Sequence, residues 1–475
     1  MKTSGLSSER VFFWFREICK IPHGSGNTKM LSQRIVEFAQ ENNLQYKIDS
    51  VGNVAIYKDG TAGYENHERV ILQGHIDMVC TKADGVKKDM DKEPIEVLSD
   101  GEYIWANGTT LGADDGIGVA YMLAVLEASD ISHPPLTALF TVDEETGMTG
   151  AAGIDSEILK GKRLINIDSE EEGIFTVSCA GGVRVVCEVP VEFIDTADEM
   201  KALSIEVYGL KGGHSGVDMG KNRYNGIKIM GDILKAIPSQ FGIMEVVTGD
   251  KLNVIPQGAI FKICVAPSSK EEVRDAVIKE ARRISVEIEE YEPDFGVKVT
   301  STAKSERATT PESARIITDV LCDFPDGVQT RREDMVLSSL NMGMTELTDV
   351  FMIGTMPRAN LETEKQIIVD KITEVVSAVK GKVICEADYP SWEYKEDSPL
   401  RDTMVSVYQK MFGNVPRIES IHAGLECGLF AARVPELDMV SMGPDLEGVH
   451  TPQERMSVAS AKRCWEYLVT LLGEL

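Results

Sequence analysis

Arg69-Val-Ile-Leu-Gln-Gly-His75-Ile-Asp77 is an apolar run of strand length that ends abruptly in a histidine and a carboxylate. Three further stretches follow the same plan. Leu136-Thr-Ala-Leu-Phe-Thr-Val142 precedes Asp143-Glu144-Glu145, Arg163-Leu-Ile-Asn-Ile167 precedes Asp168, and Leu437-Asp-Met-Val-Ser-Met442 precedes Gly443-Pro444-Asp445. Continuous apolar runs of this length suit strands covered on both faces. Between them, Gly116 to Ala128 (GIGVAYMLAVLEA) reads as a buried helix. Apolar strands alternating with helices predict an α/β fold, with a mostly parallel sheet flanked by helices. In such sheets the working residues lie beyond the carboxyl ends of the strands, which is where His75, Glu144, Glu145 and Asp168 fall.

Outward from this core, Ser7 and Ser8 precede Val11, Phe12, Phe15 and Ile18, and Pro22 closes a first predicted helix. Asn27 and Thr28 open a second, with Leu31, Ile35 and Phe38 on one face. The middle of the chain has another texture. It holds alternating strands such as Leu203-Ser-Ile-Glu-Val-Tyr208, charged helices such as Ser269 to Glu290, and the glycine-rich turn Gly209-Leu-Lys-Gly-Gly-His214-Ser-Gly216. From Tyr389 the initial pattern returns. The expected organisation is a catalytic domain built from residues 1–182 and 389–475, with an α+β lid domain, 183–388, inserted between them. A faint echo between Leu203–Ile237 and Val336–Val379, each read as strand, loop and helix, suggests two related halves within the insert.

A chain of 475 residues is long for one core, which agrees with two domains. A formal charge of -27 speaks against nucleic-acid binding, which needs a clustered basic face. No apolar run is long enough for a signal peptide or a bilayer span. The nine cysteines are dispersed without C-x-x-C spacing, as in reduced thiols. These features predict a cytoplasmic protein without membrane or nucleic-acid partners.

The chemistry lies in combinations. His75-Ile-Asp77 places both polar residues on one face by alternation, so the carboxylate can fix the imidazole tautomer while the other nitrogen meets a metal. Alone, H-x-D most often marks a structural histidine. In Leu111-Gly-Ala-Asp114-Asp115-Gly-Ile-Gly118 two acids precede an apolar helix; they suit an N-cap, and equally a carboxylate shared by two cations. Glu144-Glu145 and Asp168 repeat the acidity at two more strand ends, where adjacent acids repel unless cations absorb the charge. Together with the distal His450 they form a coherent metal site of mixed His and carboxylate ligands, which zinc or a similar ion accepts.

H-I-D, L-G-A-D-D-G-I-G, D-E-E-T-G, I-D-S-E-E-E-G, G-G-H-S-G, H-A-G-L-E-C-G and G-P-x-x-x-x-x-H-T-P occur in this order over nearly the whole chain. The set resembles the co-catalytic metallopeptidases of the carnosinase and carboxypeptidase G superfamily, and within them the subgroup of bacterial aminoacyl-histidine (cytosolic non-specific) dipeptidases. That subgroup reads A-D-N-G where this chain has Ala113-Asp114-Asp115-Gly116. The resemblance implies hydrolysis of unblocked dipeptides by water activated between two divalent ions, zinc first, with manganese or cobalt as substitutes. It implies one ion on His75 and Asp168, the other on Glu145 and His450, and Asp114 bridging them. Glu144 is then the general base, Asp77 orients His75, and His214 reaches the scissile carbonyl from the insert. Arg358, in Met356-Pro-Arg-Ala-Asn360, takes the substrate carboxylate with His422 nearby, and Glu426 stands at most behind the ligands. The resemblance further implies a cis peptide after Asp114, and it allows a homodimer in which His214 acts in cis or in trans. An aminoacylase acting on N-acyl amino acids is the rival enzyme reading. A catalytically dead binding relative is the remote one, since it need not keep Glu144 beside five ligands.

Overall fold

The computed structural model describes residues 8–216, 218–249, 251–332 and 335–475. Ser7 lies outside them. The chain forms two compact units. The first comprises residues up to Ser178, Trp392–Ser420 and Leu425–Leu475; the second comprises Cys179–Ser391 and Ile421–Gly424. The short return at 421–424 departs from the expectation that everything after Tyr389 belongs with the chain's beginning. Ala180 N–H donates to the Ile421 carbonyl, and this main-chain bond ties the excursion to the start of the second unit.

The first unit is built on one eight-stranded sheet. In chain order its strands are β1 (Gln45–Ile48), β2 (Val54–Lys58), β3 (Val70–His75), β4 (Leu136–Thr141), β5 (Arg163–Asn166), β6 (Ile174–Cys179), β7 (Arg417–Ile421) and β8 (Asp438–Ser441). Their spatial order is β1-β2-β4-β3-β5-β8-β6-β7. The four central strands β4, β3, β5 and β8 run parallel. On the flanks, β2 pairs antiparallel with β4, and β6 with β8. The sheet is therefore mixed, parallel where the apolar runs are continuous. Every residue of β3 and β4 is buried, as expected for strands covered on both faces.

The helix Ala113–Glu127 is buried on all sides rather than along one stripe, because it lies within the layer that covers these strands. Two glycines let it do so. A Cβ at Gly118 would stand 2.4 Å from the Ile167 carbonyl oxygen, and one at Gly74 would stand 2.0 Å from Asp115 Oδ2. The outer helices are amphipathic and carry their own start signals. Ser398 accepts from Arg401 N–H ahead of Pro399, and Ser457 accepts from Ser460 N–H. The first two helices, Glu9–Cys19 and Lys29–Glu41, bury the predicted faces, with Trp14 edge-on to Phe38 at 5.0 Å.

The second unit contains a four-stranded antiparallel sheet, ordered Phe241–Val247, Ala259–Val265, Lys201–Tyr208, Gly296–Ser301, and a seven-stranded sheet centred on Gly181–Pro190. The suggested internal echo does not hold. Lys201–Tyr208 leads through a loop to the helix Gly226–Lys235, whereas Met335–Leu340 leads into Met342–Leu347 and Val350–Thr355, an antiparallel pair, before the helix Glu362–Ala378. Two strands stand where a loop was expected. No helix among the described residues is long and apolar enough to cross a membrane.

Candidate metal centre

Parallel strands β3, β4 and β5 end side by side, so residues far apart in sequence emerge on one rim. His75 closes β3, Glu144 and Glu145 follow β4, and Asp168 follows β5. Asp114 stands in the first turn of Ala113–Glu127, immediately before the cis peptide Asp114–Asp115 expected from the resemblance. His450 sits at the tip of a small hairpin whose arms are Leu446–Glu447 and Arg455–Ser457.

The two oxygens of Asp114 face two different imidazoles: Oδ1 lies 3.1 Å from His75 Nε2, and Oδ2 lies 3.0 Å from His450 Nε2. On one side His75 Nε2 also approaches Asp168 Oδ1 at 3.3 Å; on the other, His450 Nε2 approaches Glu145 Oε1 at 2.8 Å. Three overlapping donor groups result, namely His75/Asp114/Asp168, Asp114/Glu145/His450 and His75/Glu144/Glu145, each with ligand atoms within 4.8 Å of one another. Facing only one another, these groups titrate abnormally. Burial pushes the Asp168 carboxyl up to about 6 against the pull of His75, and burial raises Glu144 well above the ordinary carboxylate range. Burial lowers the His75 pKa, but Asp168 and Asp114 outweigh it and hold the ring well above its usual value. Clustered acids with imidazole nitrogens aimed among them are a donor set that fits divalent cations.

Asp77 faces His75 Nδ1 with two groups, its main-chain oxygen at 3.0 Å and a carboxylate oxygen at 3.5 Å. The same carboxylate accepts from Glu144 N–H at 2.9 Å, Glu145 N–H at 3.3 Å and Ser25 Oγ–H at 2.7 Å. It thus fixes the turn that presents both glutamates. Asp115, the acid that departs from the subgroup pattern, is buried and accepts from Gly118 N–H at 3.2 Å.

Two buried acids behind the rim have roles the motifs did not disclose. Glu426 Oε2 accepts from Gln73 Nε2 at 2.6 Å and from Thr141 Oγ1 at 2.7 Å, beneath the ends of β3 and β4, and burial pushes its carboxyl up to about 8. Glu454 accepts from the main-chain N–H groups of Leu111, Gly112 and Ala113. Its sequence signal is the short spacing H-T-P-x-E, from His450 to Glu454. Cys179 and Cys427 are fully buried packing residues.

His214, Arg358 and His422 belong to the second unit. His214 Nδ1 accepts from Gly216 N–H at 3.1 Å, which places the ring proton on Nε2. Burial and the Arg358 charge lower its pKa, so the ring is neutral. Arg358 is buried, donates to Tyr389 Oη at 2.8 Å, and has no ion-pair partner among the described residues. His422 Nε2 meets Ser339 Oγ at 2.7 Å and Nδ1 meets Asn360 Oδ1 at 3.2 Å, so protein groups occupy both nitrogens.

Burial and then Arg358 push the His422 pKa down from 6.5 to about 4. Between these values the unfolded chain binds the extra proton, so the stabilisation is complete above about pH 6.5 and is lost as pH falls toward 4. Urea midpoints of the wild type should fall more steeply over this window than those of His422→Gln, by up to about 3 kcal/mol in total. Parallel curves would assign the acid sensitivity elsewhere.

Residues 71–474 match the pattern of Peptidase family M20/M25/M40. The chain is 35% identical over 479 residues to the cytosol non-specific dipeptidase of Escherichia coli (strain K12), covering 99% of each. Its fold superposes on the aminoacylhistidine dipeptidase of Vibrio alginolyticus with a TM-score of 0.92 at 32% identity, covering 100% of this chain and 98% of the other. A tripeptidase from Staphylococcus aureus shares the fold at a TM-score of 0.58 and 15% identity, over 99% of both chains.

Proposed function

The chain belongs to peptidase family M20/M25/M40, and from that premise we propose that it is a dinuclear metal-dependent dipeptidase of the cytoplasm, cleaving the peptide bond of unblocked dipeptides, Xaa-His among them. One observation carries the metal reading: the two oxygens of Asp114 point at His75 on one side and His450 on the other, as a carboxylate shared by two ions would. In this reading His75 and Asp168 complete one ion's protein ligands, and Glu145 and His450 complete the other's. The mixed nitrogen and oxygen donors suit zinc, with manganese or cobalt able to replace it.

Two divalent ions held there supply the Lewis acidity that polarises a carbonyl and makes water acidic at neutral pH. The chain's own groups do the rest. Glu144 takes the proton of the attacking water and returns it to the leaving amine. Asp77 keeps Glu144 and Glu145 in register through their main-chain N–H groups. His214, neutral with its proton on Nε2, donates to the carbonyl oxygen as negative charge develops. Arg358 grips the substrate's carboxylate with charge-assisted bonds, and His422 and Tyr389 support it.

A metal-replete assay tests the substrate class. Free dipeptides, β-alanyl-histidine included, should turn over, whereas carboxy-amidated dipeptides should be poor substrates because Arg358 loses its anion. N-acetyl amino acids cleaved as fast as free dipeptides would establish the aminoacylase reading instead.

A further inference from the structure

We propose that Glu454 is a positioning residue for the metal centre, a single buried carboxylate that locks the turn carrying Asp114 to the hairpin carrying His450. The inference rests on the ligand reading above. Glu454 is 2% exposed and lies four residues beyond His450, at the foot of its hairpin. Its Oε2 accepts from Leu111 N–H at 2.7 Å and Gly112 N–H at 3.2 Å, and its Oε1 accepts from Ala113 N–H at 2.7 Å. Those three donors are the residues immediately before Asp114.

Both ends of this link need restraint. His450 adopts a left-handed backbone, φ 63°, which costs a non-glycine residue on the order of 1–3 kcal/mol and persists only where the surroundings impose it. Gly112 is left-handed as well, φ 72°, and a Cβ there would stand 2.8 Å from Met78 Sδ. Within the hairpin, Thr451 N–H bonds to the Gly448 carbonyl and Glu454 N–H to the Thr451 carbonyl, while Arg455 pairs with Glu447 across its base. The arm Arg455–Ser457 also pairs with the strand Tyr103–Ala106, and besides the contact of Asp114 with His450 itself the Glu454 carboxylate ties the hairpin to the Asp114 turn. Fixing that link sets the separation of Asp114 Oδ2 and His450 Nε2, two donors of the same ion.

Glu454→Gln tests this while keeping shape. A glutamine offers one acceptor oxygen to three N–H groups, so in either amide orientation its NH2 opposes at least one donor. Cobalt(II) is titrated into the metal-free full-length protein, followed by visible absorption and by the thermal midpoint of the metal-free form. Wild type should bind two ions. Glu454→Gln should keep the metal-free midpoint within a few degrees, yet bind at least one ion about 10–100-fold more weakly, with an altered cobalt spectrum. Glu454→Asp, which keeps the charge but withdraws it by one methylene, serves the same readouts if the glutamine variant does not fold. Wild-type affinity and spectrum in a folded variant would overturn the inference, as would loss of fold in both variants, since Glu454 would then serve stability alone. A wild type that binds fewer than two ions would overturn the ligand reading itself.

Discussion

Glu144→Gln should leave two metal ions bound per chain and lower kcat by at least about 10²–10⁴-fold, the range a positioned general base contributes. The two effects are separable because Glu144 and Glu145, though adjacent, lie in different surroundings. Glu145 Oε1 stands 2.8 Å from His450 Nε2 within the group it forms with Asp114, whereas Glu144 joins only the group of His75 and Glu145. Glutamine keeps the volume of Glu144 and its N–H bond to Asp77 but has no basic oxygen of comparable strength. Elemental analysis and steady-state kinetics on the same preparation decide the matter. Loss of one ion together with activity would make Glu144 a ligand, which the His75/Glu144/Glu145 group would also permit.

The second large effect is expected at His214. His214→Ala should retain both ions and depress kcat by about 10²–10³-fold, the typical consequence of removing one oxyanion donor. The Gly216 N–H bond to Nδ1 fixes the proton-bearing nitrogen, so the ring is already the donor the reaction needs before substrate arrives. Asp218 reinforces the loop by accepting from His214 N–H at 2.8 Å. Because the donated bond strengthens as charge moves onto oxygen, the loss belongs in kcat rather than KM. A rise in KM alone would make His214 a ground-state contact. An unchanged enzyme would mean that His214 takes no part in the reaction.

Much of this protein was legible before any coordinates. Apolar runs that end in His75, Glu144-Glu145 and Asp168 identify parallel strands and their functional rim together, because burial on both faces forbids polar residues until a strand leaves the layer. Asp114 and His450 joined that set less sharply, because acids ahead of an apolar helix equally suit an N-cap, and only the resemblance gave Asp114 the bridging place and His450 its ion. The Met342–Thr355 hairpin falls in a stretch read as loop; its Gly343 and Gly354 stand where main chain or side chains crowd them, the Leu252 Cα lying 2.6 Å from a Cβ at Gly343.

The sequence by itself determined the donor types, their order and the sheet that gathers them, since metal ligation and strand burial each admit few residue types and act over short stretches. Tertiary structure alone decided which atom does what. Asp77 meets His75 with its main-chain oxygen as well as its carboxylate and also holds the glutamate turn, Asp115 accepts from Gly118 N–H while its neighbour Asp114 faces the imidazoles, and both nitrogens of His422 are taken by protein groups. Glu426 and Glu454 act on partners more than 280 residues away along the chain. No local pattern encodes such pairings, because a buried carboxylate is stabilised by whichever N–H and O–H groups the fold brings to it, and those are known only once distant segments have packed.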